Sequence, residues 1–95
     1  MTTTDFKKSV SEGNLPVSLP LHLQALWYDG RGDWKTAHDL IDQLSGKEPA
    51  LVHAYLHRKE GDNWNADYWY SRAGKKRPDV SLEQEWEQLL DFFLS

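Results

Sequence analysis

The sequence predicts an all-α protein made of two antiparallel helical hairpins and a C-terminal capping helix. Three observations lead to this fold class. Apolar residues recur at spacings of three and four in several segments, as one face of an α-helix requires. Gly, Pro and Asp separate these segments, and no segment alternates apolar and polar residues as a half-buried strand does. One residue pattern also occurs twice, at a constant offset of 29 positions.

The repeated pattern defines the two hairpins. Its first copy contains Gly32, Asp33, Ala37, Ile41, Leu44 and Pro49, and its second contains Gly61, Asp62, Ala66, Tyr70, Ala73 and Pro78. Glycine permits the left-handed backbone that ends one helix, and aspartate caps the next helix. Alanine lets two helices approach closely. A recurring turn, cap and small residue therefore predict two successive helix pairs.

Length and composition indicate one domain. The chain has 95 residues, and the polar stretch 1–17 is expected to be a flexible N-terminal arm before a single helical-repeat domain over 18–95. A net charge of −4 argues against nucleic acid or an anionic membrane as a partner. There is no cysteine, no secretory leader pattern and no apolar run of membrane-spanning length, so we expect a cytoplasmic protein.

The first hairpin is predicted from its end signals. Its first helix begins after Ser18, with Pro20 in the first turn, and ends near Gly30. Its second helix is capped by Asp33 and spans 34–44, before a glycine that stops it.

The second hairpin follows the same scheme. Its first helix begins near Glu48 and ends before Gly61. Its second helix is capped by Asp62 and ends at Gly74, with a proline beyond it. Short connections of this kind make neighbouring helices antiparallel.

The capping helix begins at Ser81, and Gln84 stands at the position that completes a capping box. One helical face carries its apolar residues Leu82, Trp86, Leu89, Leu90 and Phe93. Four apolar residues lie outside the predicted faces, namely Leu19, Trp27, Phe92 and Leu94. These spare residues suggest self-association as a homodimer.

The repeated residues resemble the second half of a tetratricopeptide repeat, over about residues 18–78. The offset of 29 is shorter than the usual period of about 34 residues. Such a resemblance implies a protein-interaction module whose inner helices line a concave groove. Residues 52–74 are also similar to short bacterial proteins of unassigned function, a resemblance that implies no activity.

The implied groove contains Tyr55 and Arg58. A protein or peptide partner with an acidic terminus would receive bidentate hydrogen bonds from Arg58. A solvated face with charge pairs along the helix is the equal alternative. No catalytic motif or cofactor motif stands out, so we expect neither an enzyme nor a bound cofactor.

His53 and His57 are the sharpest candidates for chemistry. Their spacing of four places both imidazoles on one helix face, the geometry of a two-His metal site. His38 is one candidate for a further ligand, alongside nearby carboxylates. Both His residues also fall where tetratricopeptide repeats pack inside, and we favour that packing interpretation. The alternative function is therefore a small-molecule or metal-binding protein that uses the His53/His57 face.

Three consecutive aromatic residues, Tyr68, Trp69 and Tyr70, point in directions about 100° apart on a helix. One interpretation makes Tyr68 and Trp69 an aromatic wall of a binding site, with Arg58 and Arg72 as anion anchors. The other packs Trp69 against the capping helix and leaves Tyr68 half exposed. We favour the second, because aromatic residues of small domains are mostly core residues.

Overall fold

The computed structural model describes all 95 residues, Met1–Ser95, and contains six α-helices and no strand. The helices are α1 (Thr3–Glu12), α2 (Leu21–Gly30), α3 (Trp34–Ile41), α4 (Lys47–Lys59), α5 (Asn63–Arg72) and α6 (Leu82–Leu94). The predicted all-α class is confirmed. None of these helices combines the length and the apolar character that a membrane crossing requires.

The protein contains two helical hairpins, α2–α3 and α4–α5. Within each hairpin, the two helices are connected by a turn of the same geometry. Gly32 and Gly61 have φ angles of 83° and 86°, which a side chain would strain. Asp33 and Asp62 each accept a hydrogen bond from the backbone N–H three residues later, at 3.1 Å and 3.2 Å. The turn and cap of the repeat therefore fold alike in both copies, and the two predicted hairpins are present.

One helix is shorter than its prediction. α3 ends at Ile41, whereas the sequence indicated a helix to residue 44. The Leu44 N–H instead bonds to the Ile41 carbonyl at 3.1 Å, a tighter turn that leads into α4. Asp42 consequently becomes the C-cap residue of α3.

The prediction of a flexible arm over residues 1–17 is wrong for residues 3–12, because they form helix α1. The Asp5 N–H donates to Thr2 Oγ1 at 3.0 Å, and the Thr2 N–H donates to Asp5 Oδ2 at 3.4 Å, which makes a capping box. Phe6 is fully buried, and its ring meets Trp86 at a centroid distance of 6.2 Å. Helix α1 thus docks on the core through Phe6.

The groove expected between the inner helices α2 and α4 is filled by α6. This helix packs against α2, α4 and α1, and the Trp86 Nε1–H donates to the Leu26 carbonyl at 3.0 Å. Gly30 makes the close approach possible, since a Cβ there would stand 2.8 Å from Trp86 Cζ2. The apolar stripe of α6 therefore packs on the face of the inner helices that was expected to form the groove.

Three of the four residues that suggested self-association contribute to this interior. Trp27 is buried, and Leu19 and Leu94 pack against the core. Phe92 is the exception, with 61% of its surface exposed. Helix α1 explains the difference at Trp27, whose Nε1–H donates to Ser9 Oγ at 3.1 Å, since the prediction counted only the hairpins and one cap.

Candidate functional site

Three histidines from two helices meet on one side of the molecule, and we call His38, His53 and His57 the His cluster. One ring nitrogen from each histidine lies within 4.8 Å of the corresponding nitrogens of the other two. His38 Nε2 and His53 Nε2 are 3.1 Å apart. The ring centroids of His53 and His57 are 4.8 Å apart in a stacked arrangement. The predicted pair is therefore joined by a third histidine, His38, from α3.

Local helical geometry and the packing of α3 on α4 bring the cluster together. A spacing of four sets His53 and His57 one turn apart on the same face of α4. Two tryptophans hold the rings from outside. Trp34 stacks on His38 at 4.9 Å, and Trp69 stacks on His53 at 4.1 Å.

Two carboxylates border the His cluster at helix ends. Asp42 Oδ1 lies 3.9 Å from both His38 Nε2 and His53 Nε2. Glu60 Oε1 lies 2.7 Å from His57 Nδ1, at the C-terminus of α4. Only 4% of the His53 side chain is exposed, whereas 46% of the Asp42 side chain is exposed, so the cluster opens to solvent on the Asp42 side.

Burial and the neighbouring imidazoles of His57 and His38 lower the pKa of His53 to about 4, although Asp42 acts in the opposite direction. A charged imidazolium is unfavourable in this place, because it would lose hydration and stand beside two other basic rings. His53 is therefore neutral at physiological pH and keeps one nitrogen lone pair for a hydrogen bond or a metal.

The structure divides the three consecutive aromatic residues among different surroundings. Trp69 packs on His53 of α4, which corrects the expectation that it packs on the capping helix. Tyr70 is buried. Tyr68 is 48% exposed, as the favoured interpretation expected. Arg72 lies over the Tyr68 ring, with 5.8 Å from its guanidinium carbon to the ring centroid.

Tyr55 and Arg58, which were expected to bind a partner, both make hydrogen bonds within the protein. Tyr55 Oη donates to Asp29 Oδ2 at 2.8 Å. Burial and the Asp29 carboxylate raise the pKa of Tyr55, so the hydroxyl stays protonated as a donor.

Arg58 is held in the same way by α6. Its Nη1 donates to Glu85 Oε1 at 2.8 Å, and its Nη2 donates to the Val80 carbonyl. The other Glu85 oxygen accepts from Tyr70 Oη at 2.6 Å. The Arg58 guanidinium, which was expected to bind a partner, is therefore paired with the buried Glu85 carboxylate.

Trp64 is a surface residue that the sequence interpretation did not single out. It is 79% exposed, the largest exposed fraction of any tryptophan here. Trp64, Tyr68 and Arg72 follow one another at intervals of four on α5, and we call them the α5 stripe. That spacing was visible in the sequence, but the exposure of the face depends on how α5 packs on α4.

Searches of protein-family models, of curated proteins and of solved structures find no match to this chain.

Proposed function

We propose that this chain is a helical protein-interaction module whose partner binds the α5 stripe. The observation that carries the proposal is the exposure of Trp64, which leaves 79% of a large aromatic side chain in water. Tyr68, one turn later, adds a second half-exposed ring. Neighbouring exposed apolar side chains mark interaction sites, whereas apolar residues scattered singly over a surface are ordinary. The resemblance to tetratricopeptide repeats supports the same class of function.

The residue types of the stripe also favour protein binding. Tryptophan, tyrosine and arginine are the types that most often dominate the binding energy of protein interfaces. Arg72 Nη1 is 3.4 Å from Tyr68 Oη, and the guanidinium lies over the rings of both Tyr68 and Trp69. These contacts restrict the side chains before binding, which lowers the entropy lost on association.

Charge near the stripe indicates the kind of partner. Arg72, Lys75, Lys76 and Arg77 follow closely in the sequence without an acidic residue between them. One of these cations is already paired, since Arg77 Nε lies 3.3 Å from Asp67 Oδ1. The remaining positive charge complements a protein segment that carries both carboxylates and an apolar side chain. A cytoplasmic location, which fits the absence of cysteine, is part of the same proposal.

A peptide-display selection on the immobilised protein tests the proposal. We expect the enriched peptides to combine Asp or Glu with an aromatic or leucine residue. Trp64→Ala should weaken their affinity about 30-fold or more, the loss that corresponds to a hot-spot residue. Val17→Ala is the matched control, because it truncates an apolar side chain that is 90% exposed and lies outside α5.

The proposal fails if no peptide is enriched, or if the enriched peptides bind Trp64→Ala as well as the unmodified protein. Reversing two charges, in Lys75→Glu with Lys76→Glu, should weaken acidic peptides and leave a neutral peptide unaffected. Light scattering at micromolar concentration tests the alternative occupant, a second copy of the chain. If the unmodified protein is a dimer and Trp64→Ala is a monomer, the partner of the α5 stripe is a second copy of the chain and not an acidic peptide.

A further inference from the structure

We propose that the His cluster and Asp42 form a binding site for Zn²⁺. The ligand nitrogens of the three histidines already lie within 4.8 Å of one another. Two nitrogens bound to one tetrahedral zinc stand about 3.3 Å apart, given zinc–nitrogen distances of about 2.0–2.1 Å. The separation of 3.1 Å between His38 Nε2 and His53 Nε2 is close to that value. Little movement is therefore needed to place both nitrogens on one ion.

Asp42 supplies the fourth ligand. Its Oδ1 is equidistant, at 3.9 Å, from the Nε2 atoms of His38 and His53. An approach of about 0.5 Å brings the oxygen to the ligand–ligand separation of a tetrahedral zinc site. The Asp42 side chain is half exposed and follows the last turn of α3, so solvent borders it on one side and leaves room for this movement.

Glu60 prepares His57 as a ligand. Its Oε1 lies 2.7 Å from His57 Nδ1, so the Nδ1–H group donates a hydrogen bond to the carboxylate. The unprotonated nitrogen is then Nε2, which keeps its lone pair for the metal. Metal-binding histidines commonly have such a carboxylate partner, which fixes the tautomer and the ring orientation.

The rings are held in place before any ion binds. Trp34 stacks on His38 with an interplanar angle of 10°, and Trp34 Nε1–H donates to the Leu56 carbonyl at 2.8 Å. Trp69 stacks on His53 with an angle of 16°. Such supporting contacts keep ligands near their binding geometry, which a precise metal site requires.

The donor set selects the kind of metal. Three imidazoles and one carboxylate suit Zn²⁺ and neighbouring transition metals better than Mg²⁺ or Ca²⁺, which prefer oxygen ligands alone. The competing explanation is a metal-free His38–His53 hydrogen bond, which also accounts for the 3.1 Å separation. That explanation gives no role to the Glu60 partner on His57 and predicts no stoichiometric binding.

The test titrates the full-length protein, stripped of metal with a chelator, with Zn²⁺ in competition with a chromophoric chelator. We expect one Zn²⁺ per chain. Co²⁺ should give the intense visible absorption of a tetrahedral site, and excess Zn²⁺ should remove it. Glu60→Gln should weaken Zn²⁺ binding about 10–100-fold, the usual effect of losing such a partner. His38→Gln and His57→Gln should weaken binding more than Glu60→Gln does.

The variants avoid the most buried ring, and circular dichroism checks that they remain helical. His22→Gln is the matched control, because His22 packs against Phe93, with centroids 4.7 Å apart, and lies outside the cluster. Its affinity for Zn²⁺ should equal that of the unmodified protein. The proposal is overturned if the unmodified protein binds no stoichiometric Zn²⁺, or if folded His38→Gln and His57→Gln bind it with unchanged affinity.

Discussion

At the scale of single residues, two buried carboxylates organise the interior. Asp29 and Glu85 are 2% and 3% exposed, and each accepts hydrogen bonds from a tyrosine and a cation. A buried charge is tolerated only when it is paired and hydrogen-bonded. The hydroxyl groups of Tyr55 and Tyr70 therefore stabilise these buried carboxylates by hydrogen bonding.

Replacing Tyr55 by Phe tests this role. Asp29 Oδ2 would lose the hydroxyl that donates at 2.8 Å, and only Lys59 Nζ, at 2.9 Å from Oδ1, would remain. Because hydrogen bonds to charged groups are worth more than neutral ones, we expect a loss of about 1.5–3 kcal/mol in the free energy of unfolding. Urea denaturation measures it. The control Tyr68→Phe removes an exposed hydroxyl and should change stability by less than about 0.5 kcal/mol.

Gly30→Ala is a second residue-scale prediction. Alanine is normally the better helix residue by about 0.5–1 kcal/mol. Here its Cβ would stand 2.8 Å from Trp86 Cζ2 and 3.2 Å from Val10 Cγ1, and overpacking of this kind costs about 1–3 kcal/mol. We expect net destabilisation of about 1 kcal/mol in thermal or urea unfolding. In a Trp86→Leu background most of that cost should disappear; an equal cost in both backgrounds would argue against the contact.

At the scale of elements, helix ends were the best-predicted features. The Asp33 cap, the Ser81–Gln84 capping box and the turn glycines are local signals, and each forms as expected. The same kind of signal was present at Thr2 and Asp5, but the polar composition of residues 1–17 favoured an arm. A short helix with one buried aromatic gives too weak an apolar pattern to identify without its docking surface.

The helix caps can be tested by substitution. Asp33→Ala removes the acceptor for the Thr36 N–H and should cost about 1 kcal/mol, whereas Asp33→Asn keeps an acceptor and should cost little. Chemical denaturation at neutral pH compares the two variants. Equal losses in Ala and Asn would mean that charge, and not the hydrogen bond, stabilises the helix end.

The Asp33 cap also gives a pH dependence. The hydrogen bonds from Thr36 hold the pKa of Asp33 below its ordinary value. A carboxylate whose pKa is lower in the folded state stabilises the fold above its unfolded pKa, about 3.9, and loses that contribution as the pH falls through the lowered value. The stability advantage of the unmodified protein over Asp33→Ala should therefore shrink in acid. An advantage that stays constant with pH would contradict an ionised cap.

At the scale of the whole molecule, α1 and α6 turn two hairpins into a closed domain. Phe6 is fully buried, and we expect Phe6→Ala to cost about 3–5 kcal/mol, as large aromatic truncations in cores do. Phe92→Ala, at a side chain 61% exposed, should cost about 0.5 kcal/mol. Urea denaturation measures both, and hydrogen exchange of the α1 amides shows whether α1 undocks first. Equal losses at the two positions would contradict the docking of α1.

The candidate sites show how far sequence reasoning extends. The spacing of His53 and His57 fixed their common face, and Tyr68 was expected to be half exposed. His38 was only one of several candidate partners, because its approach depends on how α3 packs on α4. Arg58 was assigned to a groove, because Glu85, 27 residues away, could not be recognised as its partner.

The sequence by itself determined the helical class, the two hairpins and most helix ends of this protein. These features depend on backbone preferences and on hydrogen bonds between residues only a few positions apart. Only the tertiary structure decided that α1 docks, that α6 fills the inner groove, that three histidines meet and that Trp64 is exposed. Each of those outcomes depends on contacts between helices distant in sequence, whose relative positions are set by the packing of the whole core and by no local pattern.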